Sequence, residues 1–162
     1  MASFEIVEVD PCCDDALALL REAAIEARWL YSDLIAPTLA WPTNAPAGPG
    51  DTYLVVYSAG MPVACGALRM LSGTTVEVRR MFVRPRCRRQ CIARALLAEL
   101  EFRARQLGYA VTRLETGRRQ SPAMALYASC GFERIPPFGQ HAQDPTSVCL
   151  EKSVVRVGSS GA

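Results

Sequence analysis

The sequence predicts an α/β fold: a mixed, mostly antiparallel central sheet with helices on both faces, in the order β-α-β-β-β-α-β-α-β-β. Three observations carry the prediction. Residues 52–83 hold three apolar, β-rich runs parted by Ala59-Gly60 and Ser72-Gly73, the pattern of an antiparallel meander. Residues 75–100 change period at Pro85, from the strand-like Val76, Val78 and Met81-Phe82-Val83 to the helical spacing of Ile92, Ala93, Leu96, Leu97 and Leu100. A further helical stretch, residues 14–31, interrupts the strands near the start.

In order, Phe4 to Val9 alternates as a strand, and Asp10-Pro11 breaks it. Asp14 or Asp15 is placed to cap a helix reaching about Tyr31, with Leu17, Leu20, Ala24, Ala27 and Tyr31 along one side. Ile35 to Gly50 is rich in proline and glycine and holds Trp41; it reads as a functional loop or a surface connector. Thr52 to Tyr57, Val63 to Leu71 and Thr74 to Val83 form the meander. A helix from Gln90 or Cys91 runs to about Gln106, with Gly108 beyond its end. Tyr109 to Thr116 is the next strand. Ser121 is expected to cap a short helix with Pro122 at its first position, and Gly131 ends it. Phe132 to Ile135 and Thr146 to Lys152 are the last strands. Residues 1–157 are expected to form one domain and 158–162, Gly-Ser-Ser-Gly-Ala, a frayed tail.

Composition excludes several classes. The net charge of +2 does not call for a nucleic acid, but the charge is uneven. Residues 79–94 carry seven arginines (Arg79, Arg80, Arg84, Arg86, Arg88, Arg89, Arg94) and no acid. A single-strand binder would set aromatic rings among such residues, and only Phe82 is there. The seven cysteines are odd in number and contain no Cys-x-x-Cys, and His141 is the only histidine, so free thiols and no metal are expected. The chain opens without a basic n-region and apolar h-region, and no apolar run nears the ~20 residues of a membrane span. A cytoplasmic location is the expectation.

The turn between the strand and helix of residues 75–100 is small and basic. The first N–H groups of a helix lack internal partners and the dipole there favours anions, while arginine grips phosphate through a planar fork. A pyrophosphate is the natural occupant. At these residues the chain resembles the GCN5-related N-acetyltransferases, the GNAT superfamily. Their Arg/Gln-x-x-Gly-x-Gly/Ala core is matched by Arg88-Arg89-Gln90-Cys91-Ile92-Ala93, and their Leu-Tyr-x-x-x-Gly-Phe signature by Leu126-Tyr127-Ala128-Ser129-Cys130-Gly131-Phe132. The looser resemblance spans about Phe4 to Lys152.

The resemblance implies acetyl-CoA as co-substrate, with its pyrophosphate on the amides of Arg88, Arg89, Gln90, Cys91, Ile92 and Ala93. Its pantetheine arm would lie along Met81, Phe82 and Val83, and the N–H of Val83 would hold the thioester oxygen. Tyr127 matches the family's general acid for the departing thiolate. Glu77 lies where some members keep a general base, and Glu115 is its rival. Two positions depart from the pattern: Cys91 stands for a glycine, and Gln120 for a frequent asparagine near the cofactor. Trp29, Tyr31 and Trp41 fall in the region that shapes the acceptor side and suggest an apolar wall. The implied activity is direct N-acetylation of a primary amine, on a small molecule in preference to a protein. A catalytically weak acyl-CoA-binding module is the alternative, and a homodimer is an open option for proteins of this kind.

Overall fold

The computed structural model describes residues 3–155, so the expected tail lies outside the described residues. The strands are β1 (Glu5–Glu8), β2 (Thr52–Ser58), β3 (Met61–Met70), β4 (Thr75–Val83), β5 (Val111–Gly117), β6 (Glu133–Ile135) and β7 (Ser147–Ser153). The helices are α1 (Asp14–Leu30), α2 (Ile92–Gln106) and α3 (Ser121–Ser129). The strands form one sheet in the order β1-β2-β3-β4-β5-β7-β6. Every pairing is antiparallel except β4 with β5. The chain passes from β4 to β5 through α2, the crossover that a parallel pair requires.

Strand alternation divides the core in two. Tyr53, Val55, Cys65, Ala67 and Phe82 pack with Ala16 and Leu19 of α1. Leu54, Val56, Leu68, Val76 and Val78 pack on the other face with Ile92, Leu96, Leu97 and Leu100 of α2 and with Tyr127 of α3. Leu96, Leu97 and Leu100 are fully buried, each contributing about 1.5–3 kcal/mol by removal from water.

The ends of the helices differ from expectation. Cys13, not Asp14 or Asp15, is the N-cap of α1 and makes no side-chain cap bond; both aspartates lie inside the first turn, where the dipole favours them. The N-cap of α3 is Gln120, with Ser121 and Pro122 already helical. Cys91 is the N-cap of α2, in the left-handed region at φ 63°.

Candidate active site

The site begins where two strands part. β4 and β5 pair from Thr75↔Val111 to Val78↔Leu114 and no further. Beyond that point β5 stays with β7 to Gly117, while β4 stays with β3 to Val83. A bulge assists the parting: Arg80 and Met81 both stand between the pairs Ala67↔Arg79 and Cys65↔Phe82, opposite the single residue Gly66. Arg80 takes φ 60° there. Gly66 leaves room for these side chains: a Cβ on it would meet Met81 Sδ at 2.8 Å and Leu100 Cδ1 at 3.0 Å, so they would have to shift.

The parted strands leave a cleft of about 540 Å³. Val78, Arg80 and Met81 border it from β4, and Glu115, Thr116 and Gly117 from β5. Gln120 and Tyr127 come from the start and interior of α3. Tyr31, Leu34 and Ile35 come from the end of α1, and Asp144, Pro145 and Thr146 from the connector before β7. Tyr31 is buried, its hydroxyl accepts from the Arg119 N–H at 3.1 Å, and its ring lies where a Cβ on Gly117 would stand. Arg119 in turn makes a forked pair with Asp33, whose carboxyl it holds down at about 2.

Tyr127 is 6% exposed and packs edge-on against Phe132. Burial, with the nearby carboxylate of Glu115 adding, pushes its hydroxyl up to about 12. It therefore stays protonated at neutral pH. Glu77 and Glu115 both project toward the α1 face, as their partners in the parallel ladder and β7 require. Only Glu115 borders the cleft. Its Oε1 accepts from the Ser147 hydroxyl at 2.9 Å. Glu77 is buried behind it, 3.3 Å from Arg79 Nε and 3.1 Å from His141 Nε2. The other ring nitrogen of His141 is 3.9 Å from Glu115. His141 thus stands between two carboxylates that strand pattern alone left unconnected.

The turn before α2 holds a 3-10 turn at Pro85–Cys87, then exposed Arg88, Arg89, Gln90 and Cys91. Arg89 and Cys91 both have φ 63°. The left-handed geometry is why a glycine suits the Cys91 position, and cysteine holds it at a cost of about 1–2 kcal/mol. The amides of Ile92, Ala93 and Arg94 open the helix without i−4 partners of their own. Arg88 turns away from this opening: it pairs with Glu26 of α1 at 2.7 Å and donates to the Val83 carbonyl. Arg86 and Arg89 form no ion pair among the described residues. Phe82 and Val83 point into the two cores, so of that trio only Met81 borders the cleft.

The tryptophans lie elsewhere. Trp29 is 85% exposed. Trp41 is clamped between the guanidinium groups of Arg21 and Arg28, at 3.7 and 3.8 Å from its ring. Neither borders the cleft. The apolar wall is made by Tyr31, Leu34, Ile35 and Met81 instead. Among the described residues no group of three or more His, Cys, Asp or Glu is arranged to hold a metal ion, and no helix is long and apolar enough to cross a membrane.

The one parallel pair of the sheet parts at a cleft that buried Tyr127 borders, a mixed α/β arrangement with a site at the splayed strands. Residues 49–134 match the acetyltransferase (GNAT) domain family. The chain is 41% identical over 107 residues to the IAA acetyltransferase of Azospirillum brasilense, covering 65% of this chain and 70% of that one. Its structure superposes at a TM-score of 0.79 on a Klebsiella pneumoniae protein described as an acyl-CoA N-acyltransferase, 31% identical, over 96% of this chain and 100% of that one. A GNAT acetyltransferase from Elizabethkingia anophelis, solved with acetyl-CoA bound, shares the fold at a TM-score of 0.66 and 15% identity, over 93% and 97% of the two chains. The chain belongs to the GNAT superfamily and is an acetyl-CoA-dependent N-acetyltransferase.

Proposed function

We propose that this chain moves the acetyl group of acetyl-CoA directly to the primary amine of a small molecule, without a covalent enzyme intermediate. The observation that carries the reading is the cleft between the parted strands, with the Tyr127 side chain from the α2–α3 face and Glu115 from the α1 face on its borders. The thioester supplies the activated acetyl group. The free amides of Ile92 to Arg94, with the unpaired Arg86 and Arg89, fit its pyrophosphate, and Cys91 leaves that approach open because its side chain is small and exposed. The unpaired edge of β4 past Val78 suits the pantetheine amides, and Gln120 offers an amide beside it.

Two proton transfers remain for the protein. The incoming ammonium must lose a proton, and of the two carboxylates that border the cleft, Glu115 and Asp144, Glu115 on β5 is the one to take it, with His141 and Glu77 behind. The C–S bond breaks as the C–N bond forms, and Tyr127, still protonated, gives its proton to the leaving thiolate. A small acceptor suits a cleft of this volume, and the IAA acetyltransferase relative supports it. A panel of amines assayed by thiol release tests the reading. Turnover of at least one small amine is expected. Coenzyme A binding with no turnover across the panel would select the acyl-CoA-binding alternative.

A further inference from the structure

Arg80 stands apart from its neighbours. Arg79, Arg84 and Arg88 each meet a carboxylate: Glu77, Glu22 and Glu26. Arg80 meets none among the described residues, although it is half-buried and borders the cleft. Its bonds go to neutral acceptors. Nε donates to Asn44 Oδ1 and Nη2 to the Thr43 carbonyl, both at 3.2 Å. Asn44 is itself tied to the Pro11 carbonyl at 2.8 Å, so the loop clamps the guanidinium from one side. Nη1 makes no hydrogen bond among the described residues. The residue also sits in the left-handed region on the bulge, a conformation costing an arginine about 1–2 kcal/mol. Burial and the nearby Arg79 and Arg69 make its charge harder to hold. A cation so placed is held by neutral partners, is partly withdrawn from water and meets no counter-ion among the described residues, which is the arrangement that favours an incoming anion.

The opposite charge is nearby but unmatched in kind. Glu115 and Asp144 border the same cleft, and neither pairs with Arg80. Leu34, Ile35 and Met81 border the same cleft with apolar side chains. Resting on the acetyltransferase reading above, we propose that Arg80 binds a carboxylate of the acceptor through the free edge of its guanidinium, so that the acceptor is an amino acid whose ammonium faces Glu115. One free guanidinium edge matches a single carboxylate in the planar fork geometry.

The test uses the common L-amino acids, each beside its own carboxamide, which keeps the amine and side chain and removes the negative charge. Two readouts run in parallel: thiol release with acetyl-CoA, and the melting temperature of the coenzyme A-saturated protein with each compound. At least one free acid is expected to exceed its carboxamide by ~10-fold or more in kcat/KM, the loss that follows when a buried charge is left unpaired. The same acid raises the melting temperature and its carboxamide does not. In Arg80→Gln both forms become equal. Asn44→Ala, which loosens the loop but leaves the guanidinium, keeps the preference for the acid and so separates binding from loop anchoring. Equal handling of every acid and its carboxamide, a preference that survives Arg80→Gln, or no response of either readout overturns the inference. A charge-selective melting shift without thiol release would instead sink the transferase reading and keep the binding site.

Discussion

His141 Nε2 and Glu77 Oε2 stand 3.1 Å apart, which ties the connector before β7 to the middle of β4. Glu77 is 4% exposed, and Arg79 is its arginine partner among the described residues. His141→Ala removes a hydrogen bond from a buried carboxylate and is expected to lower stability by about 1–3 kcal/mol. Urea denaturation measures it. His141→Gln, which can still donate to Glu77, should recover part of the loss; equal loss in both variants would mean that packing against Phe138, 5.3 Å away ring to ring, outweighs the bond.

Tyr127→Phe keeps the ring against Phe132 and removes the hydroxyl. If the hydroxyl protonates the thiolate, kcat falls by roughly 10²–10⁴-fold while KM for acetyl-CoA changes little. The pH dependence is specific. The folded hydroxyl titrates at about 12 and its ordinary value is 10.0. The native state therefore holds this proton longer than the unfolded chain, and stability declines as pH rises from 10 toward 12. Below pH 10 any basic limb in the rate belongs to another group. A basic limb near neutrality that vanishes in Tyr127→Phe would contradict this.

Cys91→Gly should stabilise the protein by about 1 kcal/mol, because glycine adopts the left-handed conformation without the Cβ penalty. Coenzyme A affinity should hold or improve, since the exposed thiol is removed from the approach to the helix amides. Cys91→Val should do the reverse on both counts. Denaturant midpoints and calorimetry with coenzyme A read the two effects, and a marked loss of affinity in the glycine variant would show that the thiol itself takes part.

Asp33 and Arg119 join the end of α1 to the start of the segment before α3. Arg119, by forked hydrogen bonds, holds Asp33 at about 2 against an ordinary 3.8. A depressed carboxyl contributes above its ordinary value and loses that contribution as pH falls from 3.8 through about 2. Asp33→Asn should lower stability near neutrality, where the pair contributes in full, and flatten the acid unfolding curve between pH 3.8 and about 2, so that the two proteins converge at the acid end. An unchanged acid curve would mean that solvent screening cancels the pair.

The strands and helices were legible because each rests on local signals: alternation, helical period, and the turns at Ala59-Gly60 and Ser72-Gly73. The turn before α2 and the Tyr127 signature were legible as motifs for the same reason, being continuous in sequence. Arg80 was not separable from six other arginines. What distinguishes it is the bulge, which is a matter of register against Gly66 in a different strand. His141 sits 64 positions from Glu77, and no periodicity joins a connector to a strand so far away. Trp41 was legible only as an aromatic residue in a proline-rich loop, and what places it outside the cleft is that two distant arginines of α1 stack on its ring. Leu34 and Ile35, which do border the cleft, gave no signal beyond being apolar.

The two-for-one count opposite Gly66 has an implication for how this protein can change over generations. The opening between β4 and β5 depends on the number of residues in β4 as well as on their kind. Single-base substitutions across residues 78–83 can alter what the opening accepts, yet the extra residue remains and the strands stay apart. Loss of one codon at Arg80 or Met81 would restore one-to-one pairing with β3 and remove the device that turns β4 aside. Substrate preference is therefore open to gradual drift in this chain, while the opening itself rests on the residue count of β4, which substitutions leave intact and a single in-frame deletion changes.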